Sequence, residues 1–232
     1  MNRSLADLHC HTSASFDSLS KPEQVARAAG ERGLTHLAIT DHDRIEGALR
    51  ARDAAAAGLM VIIGQEVRTT TGDLIALFVD EPIKPGMAPY EAAQAVHEQG
   101  GVVGLAHPFD RFRSGAGRKG WEGELERVIP ELDYVEAWNA RLIAGDGNRR
   151  AAEFAKAHGL AGVAASDAHT IMEVGVAYTI LDGSIDTPDQ FRAALAAGPR
   201  LVTSHGSRLI RLGMPVAKAI NRLRGNRRVT VA

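Results

Sequence analysis

Short apolar runs punctuate this chain and alternate with longer amphipathic stretches. Runs of four to six residues, rich in Val, Ile, Leu and Ala, read as strands at Leu5–His9, His36–Thr40, Val61–Gln65, Leu74–Val79, Val102–Ala106, Tyr134–Ala137, Gly162–Ala165, Val176–Leu181 and Arg200–Thr203. Between most of them the apolar positions recur at helical spacing, which predicts helices over Lys21–Arg32, Ile45–Ala57, Pro89–Gln99, Asn148–His158 and Pro188–Ala197. Ser20 and Glu23 stand at capping-box spacing before the first helix, and Gly33 ends it. Thr187 and Gln190 frame the last one in the same way, with Pro188 at its first position. Such βα alternation predicts an α/β fold on a parallel sheet, open or closed into a barrel. The run R-S-G-A-G-R-K-G at Arg113–Gly120 reads as a loop, not a domain boundary.

Composition narrows the class. With 232 residues, 45% of them hydrophobic, the chain is long enough for one large domain. Its 27 basic and 28 acidic residues nearly cancel, so a wholly disordered polyelectrolyte is excluded. Cys10 is the only cysteine, which rules out an intrachain disulfide scaffold. The longest apolar runs, such as Leu59 to Ile63, fall far short of the roughly 20 residues of a membrane span. The first residues lack a signal peptide's apolar stretch, so the expectation is a soluble, cytoplasmic protein.

Charge is unevenly spread. Residues 204–232 hold seven basic side chains and no acidic one, leaving 20 basic and 28 acidic in residues 1–203. The chain is therefore divided into a barrel over 1–203 and a basic amphipathic tail over 204–232. A basic tail suits membrane surfaces or nucleic acid. The preferred expectation is a solvated helix packing Leu209, Leu212, Val216, Ile220 and Leu223 on the body.

Metal-binding residue types recur where the strands end. Asp7-Leu8-His9-Cys10-His11 closes the first strand, and residues i and i+2 of an extended segment share a side, so His9 and His11 can grip one cation. Thr40-Asp41-His42-Asp43, Gly64-Gln65-Glu66, Ala106-His107-Pro108, Glu136-Ala137-Trp138-Asn139 and Ser166-Asp167-Ala168-His169 close later strands. In a parallel barrel these ends face one mouth, where such enzymes keep their sites. Imidazole with carboxylate suits Zn, Mn or Fe, and a bridging carboxylate suits a cluster of two or three. Asp41 and Asp43 are expected to orient imidazoles, and Cys10, on the opposite side of its strand, to pack in the core. Arg44, Arg111, Arg113 and Arg141 lie near the proposed mouth and could clamp phosphate, with Arg111 and Arg141 favoured. Asn139 stays open between ligand, substrate contact and strand cap.

The ordered set H-x-H, T-D-H-D, G-x-E, A-H-P and S-D-x-H, spanning Leu5 to Leu181, resembles the PHP family, named for polymerase and histidinol phosphatase. The resemblance implies a distorted seven-stranded (β/α) barrel with a metal site of two or three divalent ions at the strand C-terminal ends. On that pattern one metal takes His9, His11, Glu66 and Asp167, and a second shares Glu66 and adds His107. A third takes Asp17, His42 and His169, where Asp17 stands in place of a common His. Glu136 and Asn139 are both open as a further ligand of the second metal.

The implied activity is hydrolysis of a phosphomonoester by metal-activated water, with Asp167, His42 and His169 at the reacting centre. The substrate expected is a small phosphorylated molecule, nucleotide-like, with nucleic acid disfavoured as a partner. Only residues 80–101 separate the fourth and fifth strands, so the mouth is expected to be open. Rivals are histidinol phosphate as substrate, an amidohydrolase (which usually needs a bridging lysine or paired late-strand histidines, and no lysine stands at a strand end) and a non-catalytic regulatory barrel. No G-x-S-x-G motif offers a covalent route.

Overall fold

The computed structural model describes residues 3–110, 123–142, 145–207, 210 and 214–229. The nine apolar runs form nine strands: β1 Arg3–Cys10, β2 His36–Ile39, β3 Met60–Arg68, β4 Asp73–Leu77, β5 Val102–Leu105, β6 Tyr134–Asn139, β7 Ala161–Ala165, β8 Tyr178–Asp182 and β9 Arg200–Val202. They join one sheet in the order β7-β6-β5-β4-β3-β2-β1-β8-β9. The pairs β1–β2, β2–β3, β5–β6 and β6–β7 are parallel, as the βα alternation requires.

Two strands depart from the all-parallel expectation. β4 runs antiparallel to both neighbours, and β8 runs antiparallel to β1 and β9. For β4 the cause is local. Thr69 and Gly72 close a tight turn after β3, with the Thr69 N–H donating to Gly72 O at 2.8 Å. A turn that short makes a hairpin, whereas a parallel crossover needs a dozen or more residues. The sheet then curls until its ends nearly meet. Cys10 bridges Ala168 in parallel, and Thr179 of β8 exchanges hydrogen bonds of 2.9 Å with the backbone of Ala164 in β7. The result is a mixed α/β, nearly closed barrel.

Its interior is one apolar cluster that includes Leu8, Ala38, Ile62, Ile75, Leu77, Tyr134, Val163 and Leu181. Outside β1–β3, α1 (Pro22–Glu31) and α2 (Glu46–Asp53) pack Val25, Ala29, Ala48 and Ala51 on Cys10, Leu37 and Ile39. Outside β4–β6, α3 (Pro89–Glu98) and α5 (Gly147–Ala157) pack Ala92, Val96 and Ala155 on Leu74, Val103 and Val135, with α4 (Glu124–Val128) alongside. α6 (Pro188–Ala196) contributes Phe191 to the inner cluster.

Two register slips aim the interior side chains. Between Asp7 and Cys10, β1 carries one residue more than β2 does between Leu37 and Ile39. Leu8 therefore sits in the inner cluster while Cys10 joins Leu37 and Ile39 outside, and the extra residue turns His9 inward as well. In β6 the register slips between Glu136 and Trp138 against Val163 and Ala164. Tyr134 and Glu136 share the inner face, and the slip returns Asn139 to it only three residues later.

The helix caps differ from the spacing in detail. Lys21 occupies the first cap position without a side-chain bond, because the Ser20 hydroxyl donates to the carbonyl of His169 at 3.3 Å. At α6 Thr187 accepts the Gln190 N–H, but the Gln190 amide takes the N–H of Asp186.

The tail forms α7 (Met214–Leu223), and its docking face is not the apolar one. Val216 is 59% exposed and Leu223 89%, whereas Ala217 and Asn221 are buried; Leu209 and Leu212 lie outside the described residues. The surface offered to the tail is a row of carbonyls on residues 13–18, so polar side chains do the docking. Asn221 Nδ2 donates to Ser15 O and Ser18 O at 3.1 and 2.8 Å, and Asn226 Nδ2 to Ser13 O and Ala14 O at 3.4 and 2.8 Å. No helix among the described residues is long and apolar enough to cross a membrane.

Gly104 of β5 faces the ring of Tyr134, and a Cβ there would run into it. Gly104→Ala is expected to lower stability by about 1–3 kcal/mol through overpacking. Urea unfolding followed by circular dichroism measures this, and an unchanged midpoint would contradict the packing described.

Candidate metal centre

Eight side chains from five strand ends and one loop meet at the barrel mouth. His9 Nε2 stands 2.9 Å from His11 Nε2. The Asp167 Oδ1 atom lies 3.8 and 3.4 Å from these two nitrogens, and Glu66 Oε2 lies 3.4 and 3.3 Å from them. The same Oε2 is 3.0 Å from His42 Nδ1, while the other oxygen of Glu66 is 3.0 Å from His107 Nε2. Asp17 Oδ2 faces His169 Nε2 at 3.3 Å and His42 Nε2 at 3.6 Å. Residues 9, 11, 17, 42, 66, 107, 167 and 169 are thus all brought together, with Glu66 at the centre.

A surrounding layer fixes them. Glu136 holds His9 Nδ1 at 2.5 Å with one oxygen, and its other oxygen accepts the His107 N–H at 2.8 Å. Asn139 Nδ2 donates to both Glu136 and Asp167, at 3.1 and 3.0 Å, so its amide braces two carboxylates. Asp41 touches no imidazole. It accepts from Thr12 N, Thr12 Oγ1 and Ser15 Oγ at 2.6–2.8 Å, and Ser15 Oγ lies 3.0 Å from His11 Nδ1. Asp43 instead accepts the N–H of Arg68 at 2.9 Å. Asp7, buried under β1, ties the loop after β7 by accepting from Ser166 N and Gly175 N at 3.0 and 2.8 Å. Glu173 accepts the backbone N–H of His169 at 3.2 Å.

The backbone is strained where ligand atoms are presented. His107, Asp167 and Asp43 have positive φ of 24, 50 and 58°, a region that side chains with a Cβ rarely adopt. Such strain persists only where the surroundings over-determine it.

The charges are balanced inside the cluster. Burial works against the charged forms of His9 and His42, yet Glu136 and Asp167 hold His9 well above its usual range, and Glu66 and Asp17 push His42 up to about 9. Burial acts against the Glu66 carboxylate too, but His42, His107 and His9 outweigh it and draw its pKa well down. His11 goes the other way, because burial and the nearby His169 and His42 all disfavour its protonation.

The donor set fits divalent cations. Ligands about 2.1 Å from one tetrahedral ion stand about 3.4 Å apart. The pairs His9–Glu66, His11–Glu66 and His11–Asp167 match at 3.3–3.4 Å, while His9–His11 is closer at 2.9 Å and His9–Asp167 wider at 3.8 Å. Asp17 Oδ1 and His107 Nδ1 are buried with no hydrogen-bond partner among the described residues. Among the described residues three groups could hold an ion: His11, Asp17, His42 and His169; His9, His11 and Asp167, which shares His11 with the first; and Glu66, Asp73 and His107.

Asp73 is not among the residues that the sequence singled out. It is buried and pairs with Arg228 of the tail at 2.9 Å. The tail therefore reaches the mouth, which is less open than the short segment between β4 and β5 suggests. Phe16 lies there too, its ring 4.8 Å from that of His42. Among the arginines, Arg141 is buried with its guanidinium against Met214, while Arg111 and Arg113 lie outside the described residues. Trp138 donates to Ser204 O at 2.9 Å, and Phe109 packs under Arg150 at 4.3 Å. A larger groove of about 630 Å³ lies where β6, β7 and β9 begin, and none of the eight clustered residues lines it.

A curled α/β sheet with imidazoles and carboxylates gathered at its strand ends is a metal-binding barrel. The sequence matches the PHP domain over residues 7–149 and the PHP-associated region over residues 145–199. The chain belongs to the PHP family. An uncharacterised protein of Methanocaldococcus jannaschii is 33% identical over 147 residues, covering 58% of this chain and 81% of that one. The error-prone DNA polymerase of Cutibacterium acnes is 52% identical over 135 residues, 56% of this chain but 11% of the polymerase. Among solved structures, the fold resembles a two-domain protein from Bacteroides vulgatus containing a predicted PHP-like metal-dependent phosphoesterase (TM-score 0.72, 18% identity, 88% of this chain and 65% of that one). It also resembles the lesion-specific endonuclease PfuEndoQ of Pyrococcus furiosus (TM-score 0.67, 17% identity, 86% and 58%). This chain thus spans just under two thirds of the first solved structure's length.

Glu136→Gln keeps the shape of the brace on His9 but removes its charge. The variant is expected to stay folded and to bind Mn²⁺ or Zn²⁺ about 10–100-fold more weakly. Metal titration against a competing chelator checks this, and wild-type affinity would deny Glu136 its orienting role.

Proposed function

We propose that the chain is a metal-dependent phosphoesterase that hydrolyses a phosphomonoester, a nucleotide or a related small phosphate ester. The observation that carries this reading is the Glu66 carboxylate, reached by four imidazoles at the strand ends of a PHP-family barrel. His9, His11, Glu66 and Asp167 would hold one ion, Glu66 and His107 a second, and Asp17, His42 and His169 a third, with Zn, Mn or Fe suited to the donors. When bound, such ions polarise phosphoryl oxygens and provide nucleophilic water at neutral pH.

The protein's own groups do the positioning. Asn139 holds Oδ2 of Asp167, which leaves Oδ1 facing His9 and His11 and, at 3.4 Å, His169 Nδ1, so one carboxylate oxygen stands between two of the three groups. His42 and His169 present Nε2 toward Asp17 at the outer edge of the cluster, a place from which an imidazole can also pass a proton to a leaving alkoxide. Arg141 and Arg111 are the phosphate clamps proposed from the sequence, together with Asn139 as a substrate contact. The bracing of Glu136 and Asp167 by Asn139 supports a positioning role for that residue instead.

Histidinol phosphate would be the same chemistry on another alcohol. A non-catalytic barrel fits less well, because all eight ligand positions keep side chains that can bind a cation. Endonuclease Q is known in complex with a 27-mer duplex substrate carrying an abasic lesion, so DNA stands as the alternative to a small phosphate ester. A cytoplasmic setting accords with the single, buried thiol of Cys10.

Phosphate release from AMP, a cyclic phosphate, histidinol phosphate and p-nitrophenyl phosphate, with added Mn²⁺ or Zn²⁺ and again after chelation, tests the reading. Turnover that chelation abolishes, and that Asp167→Asn reduces at least about 100-fold, is expected. Turnover unchanged by both treatments would refute it.

A further inference from the structure

The tail helix turns its polar stripe to the barrel and its apolar stripe to solvent. In α7, Ala217 and Asn221 stand one turn apart and are buried, and Asn221 reaches the carbonyls of Ser15 and Ser18. Val216, Ala219 and Leu223 recur at helical spacing on the opposite side, all exposed. Lys218 and Arg222 fall between the two stripes on one flank and Arg224 on the other, and these three are exposed as well. Of the tail's cations Arg228 pairs with Asp73, whereas Lys218, Arg222, Arg224 and Arg227 have no carboxylate partner among the described residues. Residues 204–232 supply no acidic side chain of their own.

Exposed apolar side chains continue around the same end of the barrel. Among the described residues seven large ones are exposed, and six of these lie on the tail or on the loops after β1 and β7: Val216, Leu223, Val229, Leu19, Ile171 and Met172. The three segments touch. Ser18 O accepts from Asn221 of the tail, and Ser18 Oγ donates to His169 O of the loop after β7 at 2.8 Å. Arg32 donates to the carbonyls of Ile171 and Met172 at 2.9 and 3.2 Å, which adds a cation at that edge. Single exposed apolar residues scattered over a surface need no explanation, but six gathered at one end and interleaved with cations mark an interaction surface.

We propose that this end of the protein docks on an anionic lipid surface, with α7 lying in the headgroup plane, Val216 and Leu223 entering the acyl boundary, and Arg222 and Arg224 meeting lipid phosphates. An interfacial helix needs an apolar stripe flanked by cations, and α7 has both. The long stems of Lys218, Arg222 and Arg224 let their charged ends reach the headgroups while the stripe sits deeper. Nucleic acid would engage the cations and leave Val216, Leu223 and Met172 in water. The apolar side chains protrude one by one, and a fluid surface accepts such insertions without matching their shape. Because Asn221 and Asn226 already pin the helix through its other side, the stripe is presented without rearrangement of the fold. Docking here does not depend on the chemistry of the metal cluster.

Sedimentation of the full chain with vesicles tests it, using phosphatidylcholine alone and equal parts of phosphatidylcholine and phosphatidylglycerol. Binding to the anionic vesicles is expected to be at least about tenfold tighter and to weaken as salt rises. Val216→Asp/Leu223→Asp and Arg222→Ala/Arg224→Ala should each reduce it at least about tenfold. All four residues are exposed, so the urea midpoint should stay at the wild-type value in both variants. Leu201→Asp, exposed in the groove away from the mouth, should leave vesicle binding unchanged. Leu223→Trp reads insertion directly: its added emission should shift to the blue on anionic vesicles and be quenched by brominated lipid chains. Equal binding to both kinds of vesicle, no binding, or an unquenched tryptophan would overturn the proposal. Binding that the arginine pair controls and the apolar pair does not would overturn it too, and a DNA duplex that then displaces the vesicles would assign the surface to nucleic acid.

Discussion

The structure turns on one buried carboxylate. Glu66 is 1% exposed, and burying a charge is costly unless it is matched by opposite charge and hydrogen bonds. Here the match comes from His9, His11, His42 and His107, which reach it from the ends of β1, β2 and β5. Satisfying Glu66 therefore ties three strand ends to β3. Asp167 and Asp17 extend the same pattern to the segments after β7 and β1. Each oxygen of Glu66 faces a different subset of imidazoles, the division that the proposed bridging role requires.

The layer around the cluster determines how firmly these atoms are aimed. Glu136, Asn139, Asp41 with Ser15, and Asp7 are all buried, and each joins a ligand or its loop to a neighbouring strand. Ligand groups held this way keep their orientation without help from solvent. Positive φ at His107 and Asp167 shows the cost of that aim, which the surrounding hydrogen bonds sustain.

Much of this was legible in the chain. All nine strands fall where apolar runs predict them, because each run except the exposed edge strand β9 buries at least one face against a helix layer or the barrel interior. The eight positions that converge at the mouth were visible because strand ends concentrate there what the core would otherwise exclude. What was not legible has local causes. The direction of β4 depends on a hydrogen-bonded turn at Thr69–Gly72 that composition alone does not fix. The slips in β1 and β6 that bring His9 and Asn139 inward are one-residue register events, invisible to period-two reading. The tail's docking through Asn221 and Asn226 could not be foreseen either, since the partners are backbone carbonyls, which every sequence supplies. An amphipathic pattern pointed to Val216 and Leu223, and both face solvent.

The central claim is that this cluster exists to hold divalent cations, with Glu66 between them. Anomalous diffraction from crystals of the full chain, collected at the Mn and Zn absorption edges, tests it directly. The account predicts at least two anomalous peaks, one bounded by His9, His11, Glu66 and Asp167 and one shared by Glu66 and His107. A metal-supplemented crystal with no peak beside Glu66, and with its carboxylate still within reach of the four imidazoles, would contradict it.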